Sequence, residues 1–216
     1  MRVPLVLAIV AFALLFAFVQ VGAITVAFDK LGLSPNTAML ILLGSLLGSG
    51  INLPLFQLEA RREPDPVRRS LIGALSPRYR PSPGRVIIGL NVGGGLIPLA
   101  VSLHLLTHHP LPPATVALAI GLQSALCYAA SRPIRKVGIG LSILVAPLGA
   151  AAIASLLLPH ASAPLAYIAG TLGVLIGADI LRLGAIRELG VSSASIGGAG
   201  TFDGIFITGI VAVLLA

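Results

Sequence analysis

Long apolar runs alternate with short polar connections along this chain. The runs are about 20 residues long, the length at which a helix crosses the hydrocarbon core of a bilayer. Only 10% of the 216 residues are charged and 56% are hydrophobic, whereas a soluble domain carries about 25% charged residues. The sequence therefore predicts an integral membrane protein with a single transmembrane domain over residues 1–216.

Seven apolar segments are predicted to be transmembrane helices, which makes the expected fold class all-α. Their approximate bounds are Val3–Phe28, Thr37–Leu58, Val86–Thr107, Ala114–Ala130, Val137–Leu158, Pro164–Leu181 and Ile196–Ala216. The first segment has a competing interpretation as a signal peptide, because Val21-Gly22-Ala23 resembles a cleavage site. Its apolar run is longer than the usual ~7–15 residues, which favours a retained helix.

The distribution of basic residues predicts the orientation. Arginine occurs at the start of the chain and in the connections after the second, fourth and sixth spans, and is absent from the other connections. Basic connections stay in the cytoplasm, so we expect a cytoplasmic N-terminus and an external C-terminus in a prokaryotic cell membrane. The basic loop at about 59–85 would then contact anionic lipid headgroups. No basic patch interleaved with aromatic residues is present, so nucleic acid is not an expected partner.

Two of the four aspartates, Asp179 and Asp203, lie at the edges of the sixth and seventh spans. A carboxylate in or beside the hydrocarbon layer costs free energy, so it marks a functional site by default. The predicted topology places both near the cytoplasmic face, on antiparallel neighbours joined by a short connector.

Other polar or loosened positions are expected at the same depth. The second span brings an asparagine to this level, the third an asparagine and a glycine run, and the seventh two glycines. The residues predicted to bind substrate or to support the aspartates are Asn52, Asn91, Gly93, Gly94, Gly200 and Gly204.

A pair of carboxyl groups in a low-dielectric site would share one proton, giving one base and one acid. That pair could activate water against a peptide carbonyl, and the glycine-rich flanks would let an extended, membrane-anchored peptide approach the backbone. The alternative is a solute or ion-coupled transporter in which the aspartates bind protons or cations. Local roles are also open: Asp179 could pair with Arg182, Asp203 could cap a helix, and the protein could be a non-catalytic scaffold.

The stretches Gly48–Leu55, Asn91–Gly94, Gly177–Asp179 and Ser195–Gly204 resemble an uncharacterised prokaryotic family of membrane proteins. That resemblance implies one continuous fold and no particular activity. The last two spans also resemble the intramembrane aspartyl proteases, the group of presenilin, signal peptide peptidase and the prepilin peptidases. This second resemblance implies that Asp179 and Asp203 are the catalytic aspartates. Two residues, Thr201 and Phe202, separate the Gly-x-Gly of this chain from Asp203.

No metal site or cofactor is expected. His104, His108 and His109 lie near the outer end of the third span, and His104 and His108 have the i,i+4 spacing of a chelating pair. The other candidate ligand is His160, in a later outer connection, so interfacial histidines are the favoured interpretation. The single cysteine, Cys127, lies within an apolar run, so no intramolecular disulfide is possible.

Overall fold

The computed structural model describes residues 22–61, 84–135, 137–198 and 204–216, and within these ranges the protein is mostly helical. The helices are α1 (Gly22–Lys30), α2 (Pro35–Gly48), α3 (Ile97–His108), α4 (Pro113–Ala130), α5 (Val145–Leu157), α6 (Ser162–Val174), α7 (Leu183–Ile186) and α8 (Gly204–Leu215). A π-helical turn at Val92–Leu96 leads into α3, and a second one at Leu175–Ile180 extends α6.

Five strands accompany the helices in the described ranges. They are β1 (Asn52–Glu59), β2 (Arg85–Asn91), β3 (Arg132–Ile134), β4 (Gly138–Gly140) and β5 (Ser193–Ile196). One sheet has the order β1-β2-β5, with β1 antiparallel and β5 parallel to β2, while β3 and β4 form a hairpin. The prediction of a mostly helical protein is confirmed, and the prediction of helix is wrong for β1, β2 and β4. Strand β3 and most of β5 lie in segments that were predicted to be connections.

The second predicted span divides into a helix and a strand. Helix α2 ends at Gly48 and β1 begins at Asn52. The glycines in Gly48-Ser49-Gly50 weaken helix propensity, and Pro54 would interrupt a helix interior. The backbone N–H and C=O groups of this segment form hydrogen bonds with β2, in place of the bonds that they would have made within a helix.

The third predicted span begins as strand β2 for a related reason. Val86, Ile87 and Ile88 are β-branched and favour extended backbone. Asn91 then starts the next helix, because its side-chain oxygen accepts a hydrogen bond from the Gly94 N–H at 2.8 Å. The glycine run therefore lies in the π-helical turn that leads into α3.

The fifth and seventh spans also start later than predicted. The β3–β4 hairpin, with Gly138 at a φ of 138°, occupies the residues before α5. Strand β5 ends at Ile196, and α8 starts at Gly204. Most of the first predicted span lies outside the described residues, and so does most of the basic loop at 59–85.

Two helices are long and apolar enough to cross a membrane, Pro113–Ala130 and Pro159–Ile180, which agree with the fourth and sixth predicted spans. Helices α1 and α2 meet at a bend of 116° and would together make a third span. Three other apolar helices are shorter: Val92–His108, Val145–Leu157 and Ile205–Leu215. The described residues thus support two or three spans by length and composition.

Helix α6 forms the centre of the bundle and packs against α3, α4, α5 and α8. Nearly all of its residues are buried, including Leu165, Tyr167 and Ile168. Small residues permit the close approach that van der Waals packing requires in a bilayer. A β-carbon on Gly170 would lie 3.2 Å from the Ala150 β-carbon, which shows how closely α5 and α6 approach.

The ends of three helices meet at one face of the bundle. The Lys30 ammonium donates to the carbonyl oxygens of Val213 at 3.3 Å and Leu214 at 3.4 Å. The Ser162 hydroxyl donates to the Ala216 carbonyl at 2.9 Å. The end of α1, the start of α6 and the end of α8 therefore lie together, and the end of α6 lies at the opposite face.

Candidate functional site

Asp179 lies in the π-helical turn that ends the longest candidate span. One of its carboxylate oxygens, Oδ2, accepts a hydrogen bond from the Gly197 backbone N–H at 2.7 Å. Gly197 immediately follows β5, so the sheet delivers this donor to the end of α6. Because a π-helical turn widens the helix and redirects its side chains, the turn and the strand together place the carboxylate.

The donor position requires glycine at residue 197. Gly197 has a φ of 85°, a conformation that residues with a β-carbon rarely adopt. A β-carbon there would lie 2.5 Å from both Cα and N of Gly95. The turn after β5 therefore packs directly on the backbone of the glycine run that precedes α3.

A cavity of about 240 Å³ opens beside the Asp179 carboxylate. It lies between the end of α6, α7, the β3–β4 hairpin and β5, and Asp179 is the one ionisable side chain among its lining residues. Those residues are Ile88, Val137, Gly138, Ile139, Asp179, Leu183, Ile186, Val191, Ser193, Ala194, Ser195, Ile196 and Gly198. Apart from Asp179, the lining consists of apolar residues, glycines and two serines. Such a cavity can bind a ligand with apolar groups and place it beside one carboxylate.

Asn91 joins the sheet to the helices behind the site. Its side-chain nitrogen donates to the Ser49 carbonyl at 2.8 Å and to the Asn52 side-chain oxygen at 3.1 Å. Since its own oxygen accepts from Gly94, both ends of the buried amide are used within the protein. Asn52 and Asn91 do not line the cavity. Asn91 contacts the glycine run through Gly94, and the glycine run contacts the turn that holds Gly197.

The glycine run is the meeting point of three elements. A β-carbon on Gly93 would overlap the backbone of Ser45 and Ser49 in and after α2, and the Ser45 hydroxyl donates to the Gly93 carbonyl at 2.6 Å. Gly95 faces the Ile196 carbonyl and Gly197. Contacts thus run from Asn52 and Asn91, through the glycines, to Gly197 and the Asp179 carboxylate.

Arg182 does not pair with Asp179. Its guanidinium donates to the carbonyl oxygens of Tyr128 at 2.7 Å and Ser131 at 3.0 Å and stacks over the Tyr128 ring at 4.0 Å. These carbonyls are at the end of α4, where a cation is favoured. The local-pair alternative for Asp179 is therefore wrong, and its carboxylate has the Gly197 N–H as its hydrogen-bond donor among the described residues.

Asp203 and Gly200 lie outside the described residues, so their part in the site stays a prediction. Gly204, the next residue after Asp203, starts α8. Ile205 is buried in the same apolar cluster as Leu175 and Ala178, which precede Asp179 in its π-helical turn. The first turn of α8 therefore lies beside the segment that carries Asp179.

The histidines and the cysteine have local partners. His104 and His108 stack with ring centroids 3.9 Å apart, and His108 Nδ1 lies 2.9 Å from the His104 carbonyl. Within the described part of the chain, no group of three or more His, Cys, Asp or Glu side chains could hold a metal ion. Cys127 is buried and forms no disulfide, and its sulfur accepts a hydrogen bond from the Gln123 side-chain nitrogen at 3.5 Å.

A protein-family model described as "Protein of unknown function (DUF1614)" matches residues 46–215. The match begins in the last turn of α2 and includes every strand, the Asp179 site and α8. No curated protein and no solved structure matches the chain.

Proposed function

We propose, from the premise that the chain belongs to the DUF1614 family, that it is an intramembrane aspartyl hydrolase acting on membrane-anchored peptides. Asp179 and Asp203 would share the general-base and general-acid roles. The observation that carries the proposal is the Asp179 carboxylate, held by the Gly197 N–H at 2.7 Å at the edge of a cavity of about 240 Å³.

The setting of Asp179 favours chemistry over a structural role. The carboxylate is partly buried at the end of a candidate span. An ionisable group costs free energy in that position, so its presence indicates a functional site. The nearby guanidinium that could have neutralised it is engaged with the end of α4 instead. A poorly compensated carboxylate in a cavity is typical of a catalytic acid or base.

Chain connectivity supports Asp203 as the second carboxylate. Asp203 directly precedes Gly204, the first residue of α8, in the sequence. Ile205, the second residue of α8, packs in the cluster that contains Ala178. The seventh-span aspartate is therefore attached directly to the helix turn that adjoins Asp179.

Strand β5 offers a place for an extended substrate. Among the described strands it lies at the edge of the sheet, paired on one side to β2. The Ile87 N–H donates to the Ser192 carbonyl at 3.1 Å, so by the alternation of a parallel ladder the backbone groups of Ser193 and Ser195 face away from β2. A peptide strand added there would follow the cavity and bring a peptide bond to Asp179.

The reaction that fits is general acid–base hydrolysis. One carboxylate takes a proton from water while the water oxygen bonds to the peptide carbonyl carbon. The other carboxyl group donates its proton toward the carbonyl oxygen. The pair then gives a proton to the leaving nitrogen as the C–N bond breaks, and one hydroxyl of the tetrahedral diol returns its proton to the pair. An amine and a carboxylic acid are released, and one proton stays on the pair.

The charge distribution supports the membrane orientation proposed from the sequence. Arg61, Arg132, Arg135, Arg182 and Arg187 belong to the connections around the sheet and the hairpin, at the Asp179 end of the bundle. The opposite end carries Lys30 and the C-terminus. By the positive-inside rule the Asp179 end would face the cytoplasm, next to anionic lipid headgroups.

The test is to replace Asp179 and Asp203 separately with asparagine and to measure cleavage of a co-expressed, membrane-anchored reporter peptide. Each variant should lower the cleavage rate by at least about 100-fold, since removing a general acid or base typically costs that much. Glu188→Gln is the matched control, because Glu188 is exposed and pairs with Arg61 at 3.1 Å, and its cleavage should be unchanged. Cleavage at the parental rate in either aspartate variant would rule out the shared-carboxylate mechanism.

An ion- or solute-coupled transporter is the second candidate function. The π-helical turns at Val92–Leu96 and Leu175–Ile180 favour it, because transporters bind their cargo where spans are irregular. In that case Asp179→Asn would abolish proton or solute flux in proteoliposomes, and the parent would show no peptide cleavage.

A further inference from the structure

We propose that the β3–β4 hairpin binds the surface of an anionic lipid bilayer, with Ile134 and Val137 inserted among the lipids and Arg132 and Arg135 bound to lipid phosphates. The partner is the headgroup layer of the membrane that holds the bundle. This binding is independent of the proposed hydrolase activity, and only its consequence for the Asp179 cavity rests on that activity.

The hairpin has an inner and an outer face. Directly opposed residues of an antiparallel pair lie on the same face and successive residues alternate, so Ile139 lies on the face opposite to Arg132 and Ile134. Ile139 packs against the buried apolar cluster between β2 and α7, which makes its face the inner one. Strand β4 contributes only Gly138 and Gly140 to the outer face. The Arg132 and Ile134 side chains are therefore exposed, with no side chain of β4 over them.

Large apolar side chains are exposed along this segment. Ile134 is 46% exposed, and Val137, at the turn of the hairpin, is 73% exposed. Ile143 and Leu144, between β4 and α5, are also exposed. Single exposed apolar residues are common, but a group of them within one short segment marks a surface that contacts a membrane or another protein.

Two arginines accompany these apolar side chains. Arg132 and Arg135 are exposed, and neither forms an ion pair with an acidic side chain among the described residues. Arg61 and Arg187, at the same end of the bundle, do form such pairs. Guanidinium groups bind phosphate, and basic residues beside apolar ones are typical of elements that lie at a membrane surface. An acidic soluble partner would account for the arginines alone, whereas an anionic bilayer accounts for both kinds of side chain.

The base and the turn of the hairpin are held by hydrogen bonds within the protein. The Arg182 guanidinium donates to the Ser131 hydroxyl at 3.1 Å and to the Ser131 carbonyl at 3.0 Å, one residue before β3 begins. At the turn, the Val137 N–H donates to the Ile134 carbonyl at 3.1 Å. The hairpin is thus already formed, so lipid binding does not have to supply the free energy of ordering it.

The hairpin also forms one wall of the Asp179 cavity. Val137, Gly138 and Ile139 are among the residues that line the cavity. Lipid bound to the outer face would therefore hold this wall in position. If Asp179 acts as proposed, peptide cleavage should depend on the anionic lipid content of the membrane.

Tryptophan fluorescence in reconstituted vesicles tests the binding, because the chain contains no tryptophan. The full-length Val137→Trp variant is placed in vesicles of phosphatidylcholine and phosphatidylglycerol in equal parts, with bromine on the acyl chains of one lipid or the other as the quencher. We expect blue-shifted emission that both brominated lipids quench, and phosphatidylglycerol the more strongly. Adding Arg132→Gln and Arg135→Gln should reduce the preference for phosphatidylglycerol by about fivefold for each arginine, since each basic residue near an anionic surface contributes about that factor.

Glu188→Trp is the matched control, because Glu188 is exposed in a connection at the same end of the bundle. Its emission should be that of tryptophan in water, with little quenching by brominated lipid. Equal quenching at positions 137 and 188 would overturn the proposal, because it would show that tryptophan itself prefers the interface. Quenching of Val137→Trp by acrylamide and not by brominated lipid would also overturn it, and is the outcome expected for a soluble acidic partner.

Two further variants keep the test decisive. Ile134→Trp lies on the outer face and should give the same quenching should Val137→Trp not fold. Asp179→Asn in the Val137→Trp background should leave the quenching unchanged, which separates this result from the outcome of the cleavage assay.

Discussion

At the scale of single residues, Gly197 is as important to the site as the aspartate it contacts. Its N–H is the donor that fixes the Asp179 carboxylate, and its left-handed backbone and lack of a β-carbon let the β5 turn approach Gly95. Among the described residues Gly197 is the one hydrogen-bond donor to this carboxylate, which leaves its other oxygen for a ligand. The orientation of Asp179 therefore depends on a residue 18 positions later in the chain.

We expect Gly197→Ala to destabilise the protein and to impair any activity of Asp179. The added β-carbon would meet Gly95 at 2.5 Å, and a strained positive φ costs about 1–3 kcal/mol. Thermal unfolding in detergent measures the loss. Gly184→Ala is the matched control, because its β-carbon would meet nothing within 4 Å, and its melting temperature should equal or exceed that of the parent. A Gly197→Ala variant as stable as Gly184→Ala would contradict the assigned packing.

At the scale of elements, the site depends on the junction at which β2 ends and the next helix begins. The strand ends at Asn91, whose side chain starts the next helix and bonds to both Ser49 and Asn52. One amide thus couples the end of α2, the sheet and the glycine run against which Gly197 packs. Displacement of this junction would move β5 and the donor to Asp179 together.

Asn91→Ala should therefore lower the unfolding free energy by about 2–4 kcal/mol, since the Ser49 carbonyl and the Gly94 N–H would both lose a buried partner. Denaturant titration of the purified protein would measure the change. Asn36→Ala serves as the control because Asn36 is exposed in the first turn of α2, and surface substitutions usually stay within about 0.5 kcal/mol. Equal stability of the two variants would show that the Asn91 amide is not the coupling residue.

At the scale of the whole molecule, the two ends of the bundle differ in charge and in architecture. One end holds the sheet, the hairpin, the arginines and Asp179, and the other holds Lys30, Ser162 and the C-terminal carbonyls. Exposed leucines on α2, among them Leu40 and Leu47 at 73% exposure each, would be costly in water and inexpensive in lipid. A bundle inserted in a membrane with the Asp179 end toward the cytoplasm, as proposed, would have this asymmetry.

Reporter fusions should locate the two ends on opposite sides of the membrane. Alkaline phosphatase fused after Ala216 should be active and green fluorescent protein at the same position dark, because arginine-rich connections are retained in the cytoplasm. The reverse pattern is expected for fusions after Arg135, in the hairpin connection. An identical pattern at both positions would exclude the proposed orientation.

The sequence by itself determined that this is an apolar, mostly helical chain. It predicted span-length helices at Ala114–Ala130 and Pro164–Leu181, which the structure has at Pro113–Ala130 and Pro159–Ile180, and it singled out Asp179 and Asp203. Composition and length suffice for those conclusions, because hydrocarbon admits few charges and sets the length of a helix. Helix was wrongly predicted for β1 and β2, because an apolar run of seven or eight residues is compatible with a strand as well as with a helix. The glycine and proline residues at β1, Gly50 and Pro54, were the available signal. Only the tertiary structure decided that the Gly197 N–H holds Asp179 and that Arg182 caps α4. Both contacts join residues that are far apart in sequence. Contacts of this kind depend on how the elements pack, and the local sequence does not show them.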